Sequence, residues 1–334
     1  MPEKNRQILL RQRPKGWVTP ECFDLVETDL PKAGPGEALV RIHYMSVDPY
    51  MRGMMDDAKS YAEPAKLNAV MPGEDVGEVI ASNDASLKPR QFVLGDLGWQ
   101  THGVARAKDL IPIDPAKAPI SMWLGPLGMI GGTAWIGLMH IGQPKKGETV
   151  VVSAAAGAVG SLVGQLAREA GCRTVGIAGG PEKGRFVTDE LGFDAAVDYK
   201  SDRFVEELAA ATPNGIDVYF ENVGGAVFDA VLPRLNRFAR VPVCGLISRY
   251  NAPEPHPIRD ARPFLVNRIR YEGFICTDRM DLFPAAHEAF GRMIAAKRLV
   301  WRETVAQGIE NAPSAFISML KGGNTGKQLV KLVP

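Results

Sequence analysis

The sequence predicts an α/β fold in which a doubly wound parallel sheet follows a β-rich N-terminal domain. From residue 150 onward, apolar strand-like runs alternate with helical patterns, as in parallel sheets that are covered by helices. Before about residue 125, short alternating runs are separated by Pro and Gly, which favours a compact barrel-like domain. At 334 residues, the chain is long enough for both domains.

The β-rich domain is expected to span residues 1–125 and to be completed by residues 300–334. Apolar side chains alternate over residues 38–44, which is typical of a half-buried strand. Residues 125–141 are apolar and long enough for a helix that connects the two domains. The tail has a short strand at residues 328–333 and is too short to fold alone, so it should return to the N-terminal domain.

The parallel sheet is expected within residues 126–299, with its first strand at Val150-Val151-Val152. After a turn, apolar residues recur at the spacing of one helix face, and Gly171 follows where a C-terminal glycine is expected. Pro242 cannot donate a ladder hydrogen bond, so we expect an irregular start to its strand. A long irregular stretch covers residues 249–264. The other predicted elements are strands at 174–178, 195–199, 217–222, 240–244 and 270–274, and helices at 204–211 and 226–235.

The turn after the first of these strands, residues 154–160, is a variant of the dinucleotide-binding fingerprint with alanine at the first glycine position. Gly157 would let the backbone approach a pyrophosphate, and Gly160 would let the helix pack closely on the strand. Free N–H groups and the helix dipole at the helix start attract phosphate. A small-residue packing site without a ligand is the alternative. The strand, turn and helix that the motif requires are present, which favours a nucleotide.

The residues beyond the second parallel strand predict which nicotinamide dinucleotide binds. The acidic residue that holds the ribose 2′-hydroxyl of NAD belongs about 20 residues after the fingerprint. Ala178-Gly179-Gly180 stands there instead, and Lys183 and Arg185 follow. Cations attract a 2′-phosphate, so we expect NADPH to be preferred over NADH. The alternative is that both cations are solvated charges at a helix start.

Composition and charge argue against several classes of function. A formal net charge of +1 gives no support for binding nucleic acid or an acidic membrane surface. No apolar stretch approaches the roughly 20 residues of a membrane span, and the first residues lack the apolar core of a signal peptide, so we expect a cytoplasmic protein. The 4 cysteines are scattered without C-x-x-C pairs and the 5 histidines are dispersed, which indicates packed thiols and structural histidines.

Eight different short motifs are spread in order along essentially the whole chain. They are Ser46-Val47-Asp48-Pro49-Tyr50-Met51-Arg52-Gly53, Gly131-Gly132-Thr133-Ala134-Trp135, residues 154–160, Gly179-Gly180-Pro181-Glu182-Lys183, Glu221-Asn222-Val223-Gly224-Gly225, Cys244-Gly245-Leu246-Ile247-Ser248-Arg249-Tyr250-Asn251, Glu272-Gly273-Phe274 and Gly323-Asn324-Thr325-Gly326-Lys327. In these motifs the chain resembles the zinc-independent medium-chain dehydrogenase/reductases, and within them the prostaglandin, curcumin and plant double-bond reductases. It departs from their pattern at Arg249 and at the doubled glycine Gly322-Gly323.

The resemblance implies a GroES-like domain built from both ends of the chain, an inserted Rossmann domain, and an active-site cleft where the two meet. It also implies that NADPH reduces the carbon–carbon double bond of an α,β-unsaturated ketone or aldehyde. The pyrophosphate would be held by Gly157, Ala158, Val159 and Gly160, and Lys183 and Tyr199 would lie near the adenosine phosphate. The rest of the cofactor would be lined by Asn222, Cys244, Gly245, Leu246, Ile247, Ser248, Tyr250, Phe274, Ile275, Cys276 and Asn324, with Thr133 near the nicotinamide.

For four of these side chains, a purely structural role is the alternative to the functional role. Tyr50 and Tyr61 are expected to line the substrate pocket, but either ring could simply pack the barrel. Thr133 could cap the helix that follows it. Tyr250 is expected to donate a hydrogen bond toward the enolate oxygen that develops during reduction, since a phenol with a pKa of about 10 stays protonated at neutral pH. The alternative for Tyr250 is that its ring only packs against the nicotinamide.

No bound metal is expected. Where zinc-dependent relatives place a ligand cysteine this chain has Ser46-Val47-Asp48, and where they have Gly-His-Glu it has Pro72-Gly73-Glu74. Without such a Lewis acid, a conjugated carbonyl accepts hydride more readily than a simple ketone. The open alternatives are a zinc alcohol dehydrogenase, a quinone reductase on the same scaffold, and a non-enzymatic NADPH-binding protein. The partners expected are a small enone or enal and, because the resembled group is often dimeric, a second copy of the chain.

Overall fold

The computed structural model describes residues 3–333, which form two compact units. The first unit runs to Gly125 and resumes at Glu303, and the second covers Pro126–Arg302. Sequence analysis placed the second boundary at residue 300. The second unit is therefore an insertion between two segments that fold together.

The N-terminal segment of the first unit consists mainly of strands. Its elements are β1 (Lys4–Leu10), β2 (Phe23–Asp29), β3 (Glu37–Ser46), α1 (Met51–Met54), β4 (Asp75–Ser82), β5 (Phe92–Gly95), β6 (His102–Arg106) and β7 (Ile111–Ile113). Ala38, Val40 and Ile42 alternate along β3 and are fully buried. This burial explains the period of two that predicted the strand.

The second unit alternates helices and strands, as the sequence pattern predicted. Its elements are α2 (Met129–Trp135), β8 (Thr149–Ser153), α3 (Ala158–Glu169), β9 (Arg173–Ala178), α4 (Pro181–Arg185), β10 (Ala195–Asp198), α5 (Phe204–Ala211), β11 (Ile216–Phe220), α6 (Gly225–Val231), β12 (Leu235–Val243), α7 (Ile247–Tyr250), α8 (Arg262–Asn267), β13 (Arg270–Gly273) and α9 (Phe283–Ala295). Of these, α2 continues as a π-helix over Ile136–Gly142. The connecting helix thus begins at Met129 rather than near residue 125.

The C-terminal segment joins the sheet of the first unit. It contains β14 (Glu303–Gln307), α10 (Ala312–Leu320) and β15 (Lys327–Lys331). Leu329 of β15 lies opposite Ser46 in an antiparallel pair with β3. The strand order is β14-β15-β3-β4-β5-β7, with β6 also paired to β3. The tail returns to the N-terminal region, as its short length predicted, and supplies an inner strand.

The sheet of the second unit is parallel and has the strand order β10-β9-β8-β11-β12-β13. Val150 and Val152 of β8 belong to one hydrophobic cluster and Val151 to another, so the sheet is buried on both faces. The predicted doubly wound sheet is confirmed. Strands β8 and β11 flank the switch point of the topology, and open α/β sheets bind ligands at the carboxyl edge of that point.

The turn between β8 and α3 is tight because two backbones approach each other. Ala154 has a left-handed φ of 49°, a conformation that costs an alanine roughly 1–2 kcal/mol. A side-chain carbon on Gly160 would come 2.4 Å from the Ala154 carbonyl oxygen, so only glycine fits there. Most of the predicted apolar face of α3 is buried. Gly171, with a φ of 77°, follows the helix as predicted.

The strand that contains Pro242 is irregular at its start, which confirms the prediction. β12 begins at Leu235, but its register against β11 shifts between Leu235 and Arg240. Phe238 lies in this interval with a left-handed φ of 61°. Pro242 itself pairs with Glu272 of β13. The irregularity therefore precedes the proline, and the strand begins five residues earlier than predicted.

Several predicted element ends were wrong. The irregular stretch predicted at 249–264 is shorter, because α7 includes Tyr250 and a proline in its first turn allows α8 to begin at Arg262. The helix predicted at 226–235 ends at Val231, where a 3₁₀ turn with a proline takes over. The strand predicted at 217–222 ends at Phe220. Asn222 therefore lies in the turn beyond the strand.

The position of Thr133 in its helix differs from one of the two interpretations given above. Thr133 lies inside α2, where its Oγ1 donates to the Met129 carbonyl at 2.8 Å, so the interpretation of Thr133 as a helix cap was wrong. Within the part of the chain that the structure describes, no helix has the length and apolar character that spanning a membrane requires.

Candidate functional site

The carboxyl ends of the parallel strands bring most of the predicted cofactor residues to one edge of the second unit. Gly157 precedes the first residue of α3, directly after β8. Asn222 follows β11, Cys244 follows β12, and Phe274 follows β13. Because neighbouring parallel strands end at the same edge, these four segments form one surface.

The fingerprint turn suits a pyrophosphate. Gly157, Ala158 and Val159 are half-buried, whereas Gly160 is buried against the turn. A side-chain carbon on Gly157 would lie 3.1 Å from the Ala154 carbonyl oxygen and would cover the start of α3. The α3 helix has 12 residues, and its first N–H groups have no intrahelical acceptor. The turn therefore offers free donors and the positive end of a helix dipole to a phosphate.

Asn222 joins the turn after β11 to the end of β8. Its backbone N–H donates to Ser153 Oγ at 2.8 Å, and its side-chain Nδ2 donates to the Ser153 carbonyl at 2.7 Å. Asn222 is half-buried, so part of it faces the edge where a ligand would lie. Sequence analysis missed Ser153, although a hydroxyl that ends an otherwise apolar strand was a signal for it.

Residues 244–250 form a compact segment with the predicted tyrosine at its end. Gly245 is half-buried, Leu246 and Ser248 are exposed, and Ile247 is half-buried. A side-chain carbon on Gly245 would lie 3.3 Å from the Tyr250 hydroxyl, so this hydroxyl lies over the glycine backbone. Burial raises the pKa of the Tyr250 phenol, and a hydrogen bond from the Leu246 backbone offsets part of that rise. The hydroxyl stays protonated at neutral pH and can donate.

The Cys244 thiol at this edge is neutral at physiological pH. Burial raises the pKa of the Cys244 thiol to about 12, with a further contribution from the neighbouring Cys276. Cys276 is itself buried, while Ile275 is half-buried. Phe274 packs edge to face on Phe220 with ring centroids 6.4 Å apart. The segment after β13 therefore contributes apolar packing more than polar contacts.

A cationic cluster follows the ends of β9 and β10. Lys183 is half-buried in α4, and its pKa is lowered by burial and by the neighbouring Lys200 ammonium. Gly179 lies under Tyr199 and Lys200, because a side-chain carbon there would come 2.8 Å from the Tyr199 ring and 3.0 Å from Lys200 Cε. Lys183 and Tyr199 were predicted to lie near the adenosine phosphate, whereas Lys200 was not named as a candidate. Its position directly after Tyr199, at the end of a strand next to β9, was the available signal.

The remaining predicted residues lie in the first unit. Tyr50 precedes α1, and burial raises the pKa of its phenol, with smaller contributions from Asp48, Asp96, Glu74 and Tyr61. Tyr61 is 60% exposed and lies close enough to Tyr50 to influence it. The two predicted pocket tyrosines are therefore neighbours.

Two other polar side chains of the first unit are Asn324, which bonds within its own turn, and Glu74, which is a buried acid. Asn324 donates from Nδ2 to the Gly326 carbonyl at 2.8 Å, so its side chain shapes its own turn. Burial raises the pKa of Glu74 to about 8, and the nearby Asp96 and Asp48 add to the rise. Glu74 is therefore largely protonated at neutral pH, which the Pro72-Gly73-Glu74 motif did not predict.

The similarity of the chain to known proteins decides its family. Residues 6–113 match a sequence family described as the N-terminal domain of oxidoreductase, and residues 158–291 match one described as zinc-binding dehydrogenase. The NADPH-dependent curcumin reductase of Escherichia coli (strain K12) is 46% identical over 338 residues, which cover 99% of this chain and 97% of that protein. This chain belongs to the prostaglandin, curcumin and alkenal reductase group. The group lies within the zinc-independent medium-chain dehydrogenase/reductases.

Two other proteins are similar to this reductase over nearly its whole length. The NADP(+)-dependent 2-alkenal reductase of Nicotiana tabacum is 38% identical and covers 98% of this chain and 97% of that protein. The crystal structure of CurA in complex with NADPH from Vibrio vulnificus has a TM-score of 0.95 at 46% identity, and covers 98% of this chain and 99% of that one. The fold expected from the resemblance, a Rossmann sheet with a GroES-like unit, is confirmed.

An ion pair lies at Ser46-Val47-Asp48, the motif from which the absence of a zinc ligand was predicted. In this reductase Ser46 Oγ donates to one oxygen of Asp48, and Lys327 Nζ lies 2.6 Å from the other. The ammonium of Lys327 would repel a divalent cation, so this donor set does not suit zinc. Among residues 3–333, no group of three or more His, Cys, Asp and Glu side chains is arranged to hold a metal ion.

Proposed function

We propose that this oxidoreductase reduces the carbon–carbon double bond of α,β-unsaturated ketones or aldehydes with NADPH. NADP(H) is its cofactor. One observation carries the proposal. The start of α3, which suits a phosphate, and the Lys183–Lys200 cluster lie at the same edge of the parallel sheet. The relatives whose names record curcumin and 2-alkenals as substrates support the substrate class.

The residues at this edge fit a nicotinamide dinucleotide with a 2′-phosphate. The fingerprint turn has no room for a side chain at Gly160, and the first N–H groups of α3 are free to donate to a pyrophosphate. The end of β9 has no carboxylate that would repel a 2′-phosphate. Two lysines and a tyrosine hydroxyl offer donors to that phosphate instead.

The proposed reduction forms a carbon–hydrogen bond at the β-carbon and a second one at the α-carbon. NADPH, when bound, supplies the hydride. As hydride adds to the β-carbon, the π pair of the carbon–carbon double bond moves between the α-carbon and the carbonyl carbon, and the π pair of the carbonyl moves onto its oxygen, where the enolate charge develops. When the carbonyl re-forms, the α-carbon takes a proton from water, which leaves as hydroxide. Tyr250 donates a hydrogen bond toward that oxygen and so stabilises the charge as it forms.

An assay with matched carbonyl compounds tests the proposed function. With NADPH, we expect turnover of an enone to exceed that of the saturated ketone of the same skeleton by at least about 10²-fold, because conjugation lets hydride add to carbon without a Lewis acid on the oxygen. Mass spectrometry of the product should show the saturated ketone. An enal and a quinone complete the panel. An allylic alcohol as the main product, or a faster reaction with the saturated ketone, would contradict the proposal.

The substitution Tyr250→Phe separates the two interpretations of Tyr250. It keeps the ring and removes the hydroxyl, so we expect kcat to fall by about 10²-fold while the Kd for NADPH changes little. Tyr250→Ala should weaken NADPH binding as well, because the ring is lost. If Tyr250→Phe keeps normal turnover and Tyr250→Ala loses both kcat and affinity, Tyr250 only packs. Steady-state kinetics and NADPH fluorescence titration measure the two quantities.

We also propose that the reductase forms a homodimer through the edge strand β13. All four residues of Arg270–Gly273 are exposed. Exposed apolar side chains lie nearby, with Leu265 of α8 at 80% and Tyr271 at 39% exposure. An exposed edge strand with apolar neighbours readily pairs with another chain. Light scattering should give the mass of two chains, and Leu265→Lys should shift the equilibrium toward the mass of one, because Leu265 is the more exposed of the two side chains. One-chain mass for the unaltered protein would contradict this.

A further inference from the structure

A buried carboxylate, Glu221, stands directly after β11 at the switch point of the parallel sheet. It is 0% exposed, and four donors converge on its Oε1. Ser153 Oγ and the Tyr219 hydroxyl donate at 3.0 Å each. The backbone N–H groups of Val223 and Gly224 donate at 2.6 and 2.9 Å. Its Oε2 is buried with no hydrogen-bond partner in the described part of the chain.

These contacts connect the two halves of the sheet. Ser153 ends β8, the first strand of the half that contains β9 and β10, whereas Glu221 follows β11, the first strand of the other half. Ser153 Oγ also accepts the N–H of Asn222 at 2.8 Å. The link therefore fixes the turn after β11 against the residue that precedes the fingerprint turn.

The same turn holds the segment after β12. The carbonyl of Glu221 accepts the N–H of Cys244 at 2.9 Å, and the carbonyl of Val223 accepts the N–H of Ser248 at 3.1 Å and its hydroxyl at 2.6 Å. Gly224, with a φ of 73°, lies in a region that only glycine tolerates well. The buried Glu221 side chain thus fixes the strand end and the turn, and the carbonyls of that turn hold the segment that carries Tyr250.

We infer that Glu221 and Ser153 are positioning residues that set the nicotinamide half of the cofactor site relative to its adenosine half. The inference rests on the proposed function, since it assumes that a dinucleotide lies across this edge. In doubly wound sheets each half binds one mononucleotide, and the dinucleotide crosses the switch point. Lys183, Tyr199 and Lys200 belong to the adenosine half, whereas Asn222 and residues 244–250 belong to the other. Neither Glu221 nor Ser153 needs to contact the cofactor, because both act through the backbone that they hold.

Two ligands distinguish this role from general stabilisation. NADPH uses both halves of the site, whereas adenosine 2′,5′-bisphosphate lacks the nicotinamide, its ribose and the phosphate attached to that ribose, and so needs the adenosine half alone. Ser153→Ala and Glu221→Leu should each raise the Kd for NADPH by about tenfold or more, since each removes hydrogen bonds to a buried carboxylate. The Kd for the nicotinamide-free fragment should change by less than about twofold. Both are measured by titration of the full chain without substrate.

Glu221→Gln provides a rescue, because its amide oxygen can accept the same four donors. We expect its Kd for NADPH to lie within about threefold of the unaltered protein.

Thr212→Val is the matched control for lost stability. Thr212 is fully buried, its hydroxyl donates to the Leu208 carbonyl at 2.7 Å, and it precedes the opposite end of β11. The Thr212→Val variant should have a lower melting temperature but an unchanged Kd for NADPH and for the nicotinamide-free fragment.

Each outcome bears on the inference. Unchanged NADPH affinity in Ser153→Ala overturns it, even if Glu221→Leu fails to fold. An equal loss of affinity for NADPH and for the fragment also overturns it, because that pattern indicates general loosening of the unit. NADPH binding as weak in Glu221→Gln as in Glu221→Leu also overturns it, because the same hydrogen-bond acceptor would then fail to position the turn. If the unaltered chain binds no NADPH, the proposed function has failed instead.

Discussion

Replacing both Lys183 and Lys200 with alanine is expected to raise the Kd for NADPH by about 10²-fold or more, while the Kd for NADH changes by less than about threefold. The two ammonium groups influence each other and lie at the same sheet edge as Tyr199. A hydrogen bond to a charged group contributes about 1.5–3 kcal/mol, and NADH lacks the phosphate that would accept it. The double variant should therefore lose its preference for NADPH.

The single variants and a charge control sharpen this test. Lys183→Ala and Lys200→Ala should each weaken NADPH binding by about tenfold. Lys146→Ala removes the same charge from an exposed lysine before β8, at the opposite edge of the sheet, and should leave both affinities unchanged. Raising the salt concentration should weaken NADPH binding to the unaltered protein more than NADH binding. An equal loss of affinity for both dinucleotides would show that the lysines do not bind the 2′-phosphate.

Lys327→Met is expected to lower the free energy of unfolding by about 3–5 kcal/mol. The side chain of Lys327 is 1% exposed, and its Nζ lies 2.6 Å from Asp48 Oδ1 and 3.1 Å from the Val47 carbonyl. Methionine keeps much of the volume and removes the charge, so Asp48 is left buried without its counter-ion. Denaturation with urea measures the loss.

A surface control and a double variant test the cause of this loss. Lys321 is exposed in the turn after α10, and Lys321→Met should change the free energy of unfolding by less than about 0.5 kcal/mol. Adding Asp48→Asn to Lys327→Met should recover part of the stability, with a coupling energy of at least about 1 kcal/mol. If the two substitutions add without coupling, the ion pair is not what stabilises this part of the first unit.

Local patterns predicted the elements because each element is encoded by its own residues. The β-branched run of β8 and the helical spacing of α3 were sufficient for the strand, the turn and the helix, and Gly171 marked the end. The missing acid after β9 was likewise a local signal for the cofactor, and Lys183 followed it directly. The kind of fold and the use of NADP(H) were therefore predictable from the sequence.

Two pairs of residues that were missed depend on contacts between distant segments. Lys327 meets Asp48 across 279 positions, and Ser153 meets Glu221 across 68. No spacing rule relates such pairs, because the register of a sheet decides which strand ends lie together. Element ends failed for a different reason. Cap and turn geometry decides whether Tyr250 or Arg262 belongs to a helix, and apolar periodicity does not report that geometry.

Because β15 returns to the sheet of the first unit, the two units complete their folding at different times during synthesis. Residues 126–302 form a contiguous body that can complete its contacts as soon as it leaves the ribosome. The last residues of β3, 44–46, have an unpaired edge until β15 arrives, and Asp48 has no counter-ion until Lys327 has been synthesised. An open strand edge is a site of aggregation. The nascent first unit is therefore the part that most needs a chaperone, and a ribosome stalled before Lys327 leaves a folded second unit beside an unfinished first one.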